Sequence, residues 1–162
     1  MPSARFMTAG HLRYHALRWH KLGKDGSGKC DAFETGVASD IVWGGIFEIA
    51  KNEKYLLDKA EGLGVGYSEK LEDIFCQQQI EDVQTVSSTN YSTVQASLYV
   101  AIPIEPRAKP YSWYKQFVVG GAIQCGLPAS YVSALAAAED LVDPDEVRSA
   151  KNLAILHCET DS

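Results

Sequence analysis

Glu61 is the residue in this chain best placed to do chemistry. It sits in Leu57-Asp58-Lys59-Ala60-Glu61-Gly62-Leu63-Gly64-Val65-Gly66-Tyr67, where a short helical stretch runs into a glycine-dense turn. A carboxylate at such a junction can be half buried and still reach a ligand. Burial raises a carboxyl's proton affinity towards neutrality, which is what a general base needs. The competing reading is that Glu61 caps backbone N–H groups of the turn, the commoner use of an acidic side chain beside glycines. From spacing alone both readings stand.

Other reactive-looking residues carry less. Gly23-Lys24-Asp25-Gly26-Ser27-Gly28-Lys29-Cys30 nearly matches a phosphate-binding loop. The last position should be a Ser or Thr hydroxyl for magnesium, and here it is Cys30. The loop should also open a helix, yet Asp31 to Gly36 has no helical apolar pattern, so the segment reads as a glycine-rich connection between strands. His11 and His15 are four apart, but on or beside a strand that spacing is about 13 Å, too far for one ion. They, His20 and the isolated His157 read as surface or half-buried histidines, and no metal is expected. No Gly-x-Ser-x-Gly elbow occurs. Cys125 falls at a helix end, where nothing lowers its pKa. The four cysteines, Cys30, Cys76, Cys125 and Cys158, form no Cys-x-x-Cys pair and read as reduced thiols of a cytoplasmic protein.

The elements that must position these groups follow from periodicity. Strands are expected at Ala4 to Leu12, Tyr14 to His20, Ile41 to Ile49 (as a buried strand), Lys70 to Cys76, Val83 to Val86 and Val94 to Ile102. Ser87 to Thr93 is polar and turn-like. Asn52 is the expected N-cap of a helix with Tyr55, Leu56 and Ala60 at helical spacing, ended by Gly62. Pro103, Pro106 and Pro110 mark a loop. Helices then run from Tyr111 or Ser112 to Gln124, closed by Gly126, from Ala129 to Ala138 behind Pro128, and from Asp143-Pro144 to about His157. Strands, one helix, strands and then helices suggest an α+β domain with a curved sheet or partial barrel and C-terminal helices.

The 162 residues, 46% hydrophobic and 22% charged, fit one globular domain with a real core. Net charge is -6, and no Lys/Arg stripe appears, so a nucleic-acid partner is not expected. The N-terminus lacks the apolar run of a signal peptide, and no stretch approaches the ~18 apolar residues of a membrane span.

Several segments, taken in order, resemble the gamma-glutamylcyclotransferase family. Leu57-Asp58-Lys59-Ala60-Glu61-Gly62 followed by Gly66-Tyr67 is similar to the family's Leu-Asp-x-x-Glu-Gly hallmark and the tyrosine after it. Val42-Trp43-Gly44-Gly45-Ile46-Phe47 looks like its Val-Trp-Gly strand. Asp25-Gly26-Ser27-Gly28-Lys29 looks like the long loop of bacterial members. Tyr111-Ser112-Trp113-Tyr114-Lys115 through Gly126-Leu127-Pro128 looks like its late helix and Gly-Leu-Pro turn. The resemblance covers roughly residues 3 to 138. It implies a small mixed β-barrel-like sheet with flanking helices over 1–140 and a helical tail over 141–162. It further implies conversion of a gamma-glutamyl amine or peptide to 5-oxoproline with release of the amine, a lyase or acyltransferase-type reaction of glutathione metabolism, with no cofactor. Glu61 matches the family's catalytic Glu, and Tyr67 and Tyr114 match aromatic positions lining its pocket.

The sequence departs from that pattern at one place. Family members begin with a strand and a Tyr-Gly-Ser-Asn loop that cradles the glutamyl group, and no such stretch occurs here. The expectation is therefore a chain with little cyclotransferase activity and a sheet edge open to homo-oligomer formation, with a non-catalytic relative whose pocket binds a small ligand or partner chain as the alternative.

Overall fold

The computed structural model describes residues 3–77 and 91–158. The expected strand at Val83 to Val86, and most of the turn after it, lie outside those residues. Six strands come first, with one α-helix among them: β1 (Arg5–Arg13), β2 (His15–Leu22), β3 (Gly28–Glu34), β4 (Ile41–Glu48), α1 (Lys54–Glu61), β5 (Tyr67–Gln77) and β6 (Tyr91–Ala101). Helices α2 (Ser112–Gln124), α3 (Ala129–Ala136) and α4 (Glu146–Cys158) follow. The class is α+β, as expected. The strands form a four-stranded sheet, β4-β1-β5-β6, and a β2-β3 pair. The described pairings within the larger sheet are antiparallel, and it does not close into a barrel among the described residues.

The chain divides into two compact units, Met1–Leu17 with Ala32–Ile102, and Arg18–Asp31 with Pro103–Ser162. In the first, His11 pairs in register with Trp43 of β4 on one side and Phe75 of β5 on the other. Its ring lies 4.8 Å and 5.5 Å from theirs. His11 and His15 are 3% and 4% exposed, which corrects the expectation of surface or half-buried histidines. They do not share a strand either. Tyr14, between them, adopts φ 64, a left-handed conformation unusual for a bulky residue. Its carbonyl accepts from Thr35 N at 2.8 Å, Gly36 N at 3.1 Å and Thr35 Oγ1 at 3.1 Å, which holds the reversal between β1 and β2.

Two other expectations change. The Ile41 strand is not buried: Phe47 is 52% exposed, because β4 pairs only with β1 among the described strands and lies at the sheet edge. Asn52 does not cap α1. It lies in a 3₁₀ turn, Lys51–Glu53, and Glu53 precedes the helix without a side-chain cap. Glu53 instead accepts from the Ser3 hydroxyl at 2.7 Å, and that hydroxyl accepts from Ala50 N at 2.9 Å.

In the second unit, the segment resembling a phosphate-binding loop is a tight turn between β2 and β3, closed by Gly23 N to Ser27 O at 2.8 Å. This is the inter-strand connection expected. Buried Trp113 donates from Nε1 to Asp143 at 2.8 Å, and Arg148 grips the same carboxylate through Nε and a terminal amine. The Arg148 guanidinium holds Asp143 well below the usual carboxylate range, against the opposing pull of its burial. Gly28 meets the chain more tightly than any neighbour: a Cβ there would lie 2.0 Å from the Trp19 carbonyl oxygen and 3.1 Å from the Lys109 carbonyl carbon.

Backbone on both sides of Gly28 cannot yield as a flexible side chain would. Gly28→Ala is therefore expected to cost well above the ~1 kcal/mol of an average substitution. Gly44→Ala, whose Cβ would meet nothing within 4 Å, is expected to be near neutral. Thermal unfolding of the pair checks this, and equal midpoints would contradict it.

Candidate active site

Helix α1 buries no residue fully, so its docking does not rest on core insertion. Its half-buried positions are Lys54, Leu57, Asp58 and Glu61, the i, i+3, i+4, i+7 stripe of one helical face. The expected apolar stripe lies elsewhere: Tyr55 is 64% exposed, and Leu56 is exposed too. The inward face is charged because the sheet offers it polar partners. Lys54 Nζ binds Asp58 one turn on, the Tyr99 hydroxyl at 2.8 Å and Glu69 at 3.1 Å. The Tyr99 hydroxyl donates to Asp58 at 2.5 Å. Glu69 and Tyr99 are directly opposed in the β5–β6 register, so one cross-strand pair receives the helix.

These bonds set the titration of the group. Lys54 first and Tyr99 second hold Asp58 below the usual carboxylate range. The hydrogen bonds that Lys54 donates to Asp58 and Tyr99 push its ammonium up in turn. The network keeps both charges at neutral pH and fixes the face that ends in Glu61.

Glu61 is the last residue of α1, and Gly62 takes φ 66 to stop the helix. The turn satisfies its own backbone. Gly62 N donates to Lys59 O at 3.3 Å, Leu63 N to Asp58 O at 2.9 Å, Gly64 N to Tyr67 O at 2.8 Å, and Val65 N and Gly66 N to Gly62 O at 3.0 Å and 2.8 Å. Each of these amides thus has a backbone acceptor in the turn or beside it. By the same count, its five amides are engaged and supply no ready set of oxyanion donors. Tyr67 opens β5 directly after the turn and is half buried, as is Glu61.

Tyr114 belongs to the second unit, near the start of α2. Its phenol oxygen accepts from Cys30 N at 3.2 Å, and its ring meets Trp19 and Trp113 edge-on at 6.2 Å and 6.0 Å. Cys30 is half buried, and loss of solvent pushes its thiol up to about 12; that suits a packing residue rather than a nucleophile. A cavity of about 450 Å³ in the first unit, reached by Arg13, Tyr14, His15, Glu34, Asp73 and Phe75, is lined by none of Glu61, Tyr67 and Tyr114. Its β5 residues begin at Leu71, about 13 Å along the strand from Tyr67 at ~3.3 Å per residue.

A sequence model of the AIG2-like family matches residues 41–135, more than half of the chain. The chain belongs to the AIG2-like family. The span that marks it as AIG2-like carries Glu61, Tyr67 and Tyr114. Solved structures share the fold. One is a crystal structure of an uncharacterized protein from Homo sapiens, with TM-score 0.73 and 23% identity over 92% of this chain and 85% of that one. Another is a gamma-glutamyl cyclotransferase, with TM-score 0.73 and 22% identity over the same shares. No curated protein matches in sequence.

Sequence reading missed Lys54, Glu69 and Tyr99. The Lys54/Asp58 spacing of four was a usable signal. Tyr99 was hidden because the alternation of Ala96, Leu98, Val100 and Ile102 draws attention to the other face of β6. Asp58→Asn is expected to lower the unfolding midpoint by a few degrees, and Tyr99→Phe by less. A depressed carboxylate stabilises above the unfolded pKa, about 3.9, and loses that contribution as pH falls through the folded value. The midpoint gap between the parent chain and Asp58→Asn should thus be full at pH 7 and shrink below about pH 4. A gap that grows on acidification would contradict the network.

Proposed function

We propose that this AIG2-like chain carries the site of a gamma-glutamyl cyclotransferase, which converts a gamma-glutamyl amine or peptide to 5-oxoproline and the released amine. The observation that carries the reading is the placement of Glu61 at the end of the anchored, half-buried face of α1, directly before the glycine turn that leads to Tyr67.

The chemistry asks for such a group. The substrate's α-amine is an ammonium at neutral pH and cannot attack. Glu61 takes one proton from it, and the amine nitrogen then bonds to the γ-carbonyl carbon. As the tetrahedral intermediate collapses, the bond from that carbon to the leaving nitrogen breaks, and protonated Glu61 returns the proton to the departing amine. Holding the glutamyl chain folded supplies much of the acceleration, since effective molarities for well-oriented intramolecular reactions reach ~10⁵–10⁸ M. Tyr67, which opens β5 directly after the turn, is the aromatic surface we assign to that folding. Oxyanion donors come from a segment other than the Gly62–Gly66 turn, whose amides are occupied. In the gamma-glutamylcyclotransferase pattern a Tyr-Gly-Ser-Asn loop has that place.

One experiment tests the reading. In a form carrying a Tyr-Gly-Ser-Asn segment ahead of β1, Glu61→Gln should lower 5-oxoproline release by ~10²–10⁴-fold, the usual worth of a general base. Near-parental turnover would remove Glu61 from the role. The chain should also self-associate. Strands β4 and β6 are at the edges of the described sheet, and Phe6 and Phe47 are exposed beside the β4 edge. Light scattering checks this, and a stable monomer would contradict it.

A further inference from the structure

The four-stranded sheet is not joined along its whole length. β1 pairs with β4 down to Arg13↔Ile41, and β5 pairs with β6 from Tyr67↔Ala101 to Gln77↔Tyr91. Between β1 and β5 the ladder has only two residue pairs, Gly10↔Cys76 and His11↔Phe75. Continuing that register would set Leu12 opposite Ile74 and Arg13 opposite Asp73, and neither pair is made. The sheet parts there, and the β5 edge from Asp73 back to Leu71 has no ladder partner on that side among the described residues. The cavity of about 450 Å³ lies at the parting. Successive side chains of a strand point to opposite faces, so a hollow over one face would take alternate residues. This one takes Leu12 with Arg13, and Leu71, Glu72 and Asp73 in a row, which places it at the two strand edges.

The polar groups around the opening are held in place but uncommitted. The Arg13 guanidinium stacks over the Phe75 ring at 4.3 Å, which leaves its N–H edge open to a planar acceptor. Arg13, Glu72 and Asp73 have no ion pair among the described residues. Glu34, also on the wall, is engaged by Lys70 at 2.9 Å. His15 Nδ1 donates to the Arg13 carbonyl at 2.7 Å, and Nε2 of the same buried ring has no partner among the described residues. Tyr14 between them takes φ 64, and strained backbone of that kind gathers at ligand sites.

We propose that the opening between β1 and β5 binds a short, extended peptide with free termini. Its main chain pairs with the open β5 edge, as a strand added to a sheet does. Its carboxylate takes the Arg13 fork, whose geometry matches a carboxylate. Its ammonium is received by Asp73 and Glu72. Phe75, beneath Arg13, and Asp73 are two residues apart on β5, about 7 Å along the strand, the reach of a two- or three-residue peptide. The cavity volume is in the range of small-ligand sites, about 300–1,000 Å³. Neither Glu61 nor Tyr67 lines the cavity, so the inference stands apart from the role of Glu61.

The test is an NMR titration of the backbone N–H groups of the full chain, kept dilute, with tri-L-alanine, its C-terminally amidated form and its N-acetylated form. Tri-L-alanine should shift the N–H resonances of Leu71, Glu72 and Asp73 to saturation. Each blocked form should bind about ten-fold more weakly, the usual worth of a hydrogen bond to a charged group. Arg13→Gln should bring tri-L-alanine down to the level of its amidated form, and Asp73→Asn should narrow the gap to the acetylated form. Both residues are exposed, so both variants should keep the parent's unfolding midpoint. Arg5→Gln, which removes a cation of the same strand that is already paired with Glu48, should bind as the parent does. No shift in the parent chain, equal affinity for the three peptides, or parental affinity in Arg13→Gln overturns the proposal. Shifts of the same N–H groups when the protein alone is concentrated would give the opening to a second copy of the chain, and overturn it as well.

Discussion

The contact between Lys54, Asp58, Glu69 and Tyr99 holds α1, and with it Glu61, to the strands of the first unit. Without it α1 has little to hold it, because none of its residues is fully buried. Each ion pair taken singly is weak, since the charged side chains are 27–33% exposed and solvent screens them. The strength is in the arrangement. Lys54 has three partners, Asp58 has two, and a tyrosine hydroxyl connects the two signs of charge. Because these residues share a face with Glu61, whatever orients them orients Glu61 as well.

The glycine turn completes that constraint. Gly62 stops the helix in a left-handed conformation that a side chain resists, and the following amides close on nearby carbonyls. The turn amides all find backbone acceptors, and the turn leads into β5 at Tyr67. The same closure engages the five turn amides, so none of them is ready to receive an oxyanion.

Much of this was legible in the sequence where a residue has a single physical use. Gly62 and Gly126 mark the ends of their helices, Pro128 precedes α3, and the β5 and α2 patterns fall close to the observed elements. The failures share a cause. The α1 stripe was sought in its apolar residues, but Tyr55 and Leu56 are exposed while the charged face turns inward to polar partners on β5 and β6. No periodicity of hydrophobic residues reports that. His11 and His15 read as surface or half-buried groups, yet pairing across three strands buries His11 between two aromatic rings, a long-range fact that local pattern does not contain. Lys29 was weighed only as a phosphate ligand, because its three aromatic neighbours, Tyr111, Trp113 and Tyr114, lie far along the chain.

The central claim is that the Glu61 carboxylate faces the glutamyl ligand. The direct measurement is the side-chain carboxyl ¹³C resonance of Glu61, assigned with Glu61→Gln, during titration with 5-oxoproline, the product common to this reaction class. The account predicts a saturable shift at Glu61 accompanied by a shift at the Tyr67 ring. Saturable binding that moves residues elsewhere and leaves Glu61 and Tyr67 unchanged would contradict it.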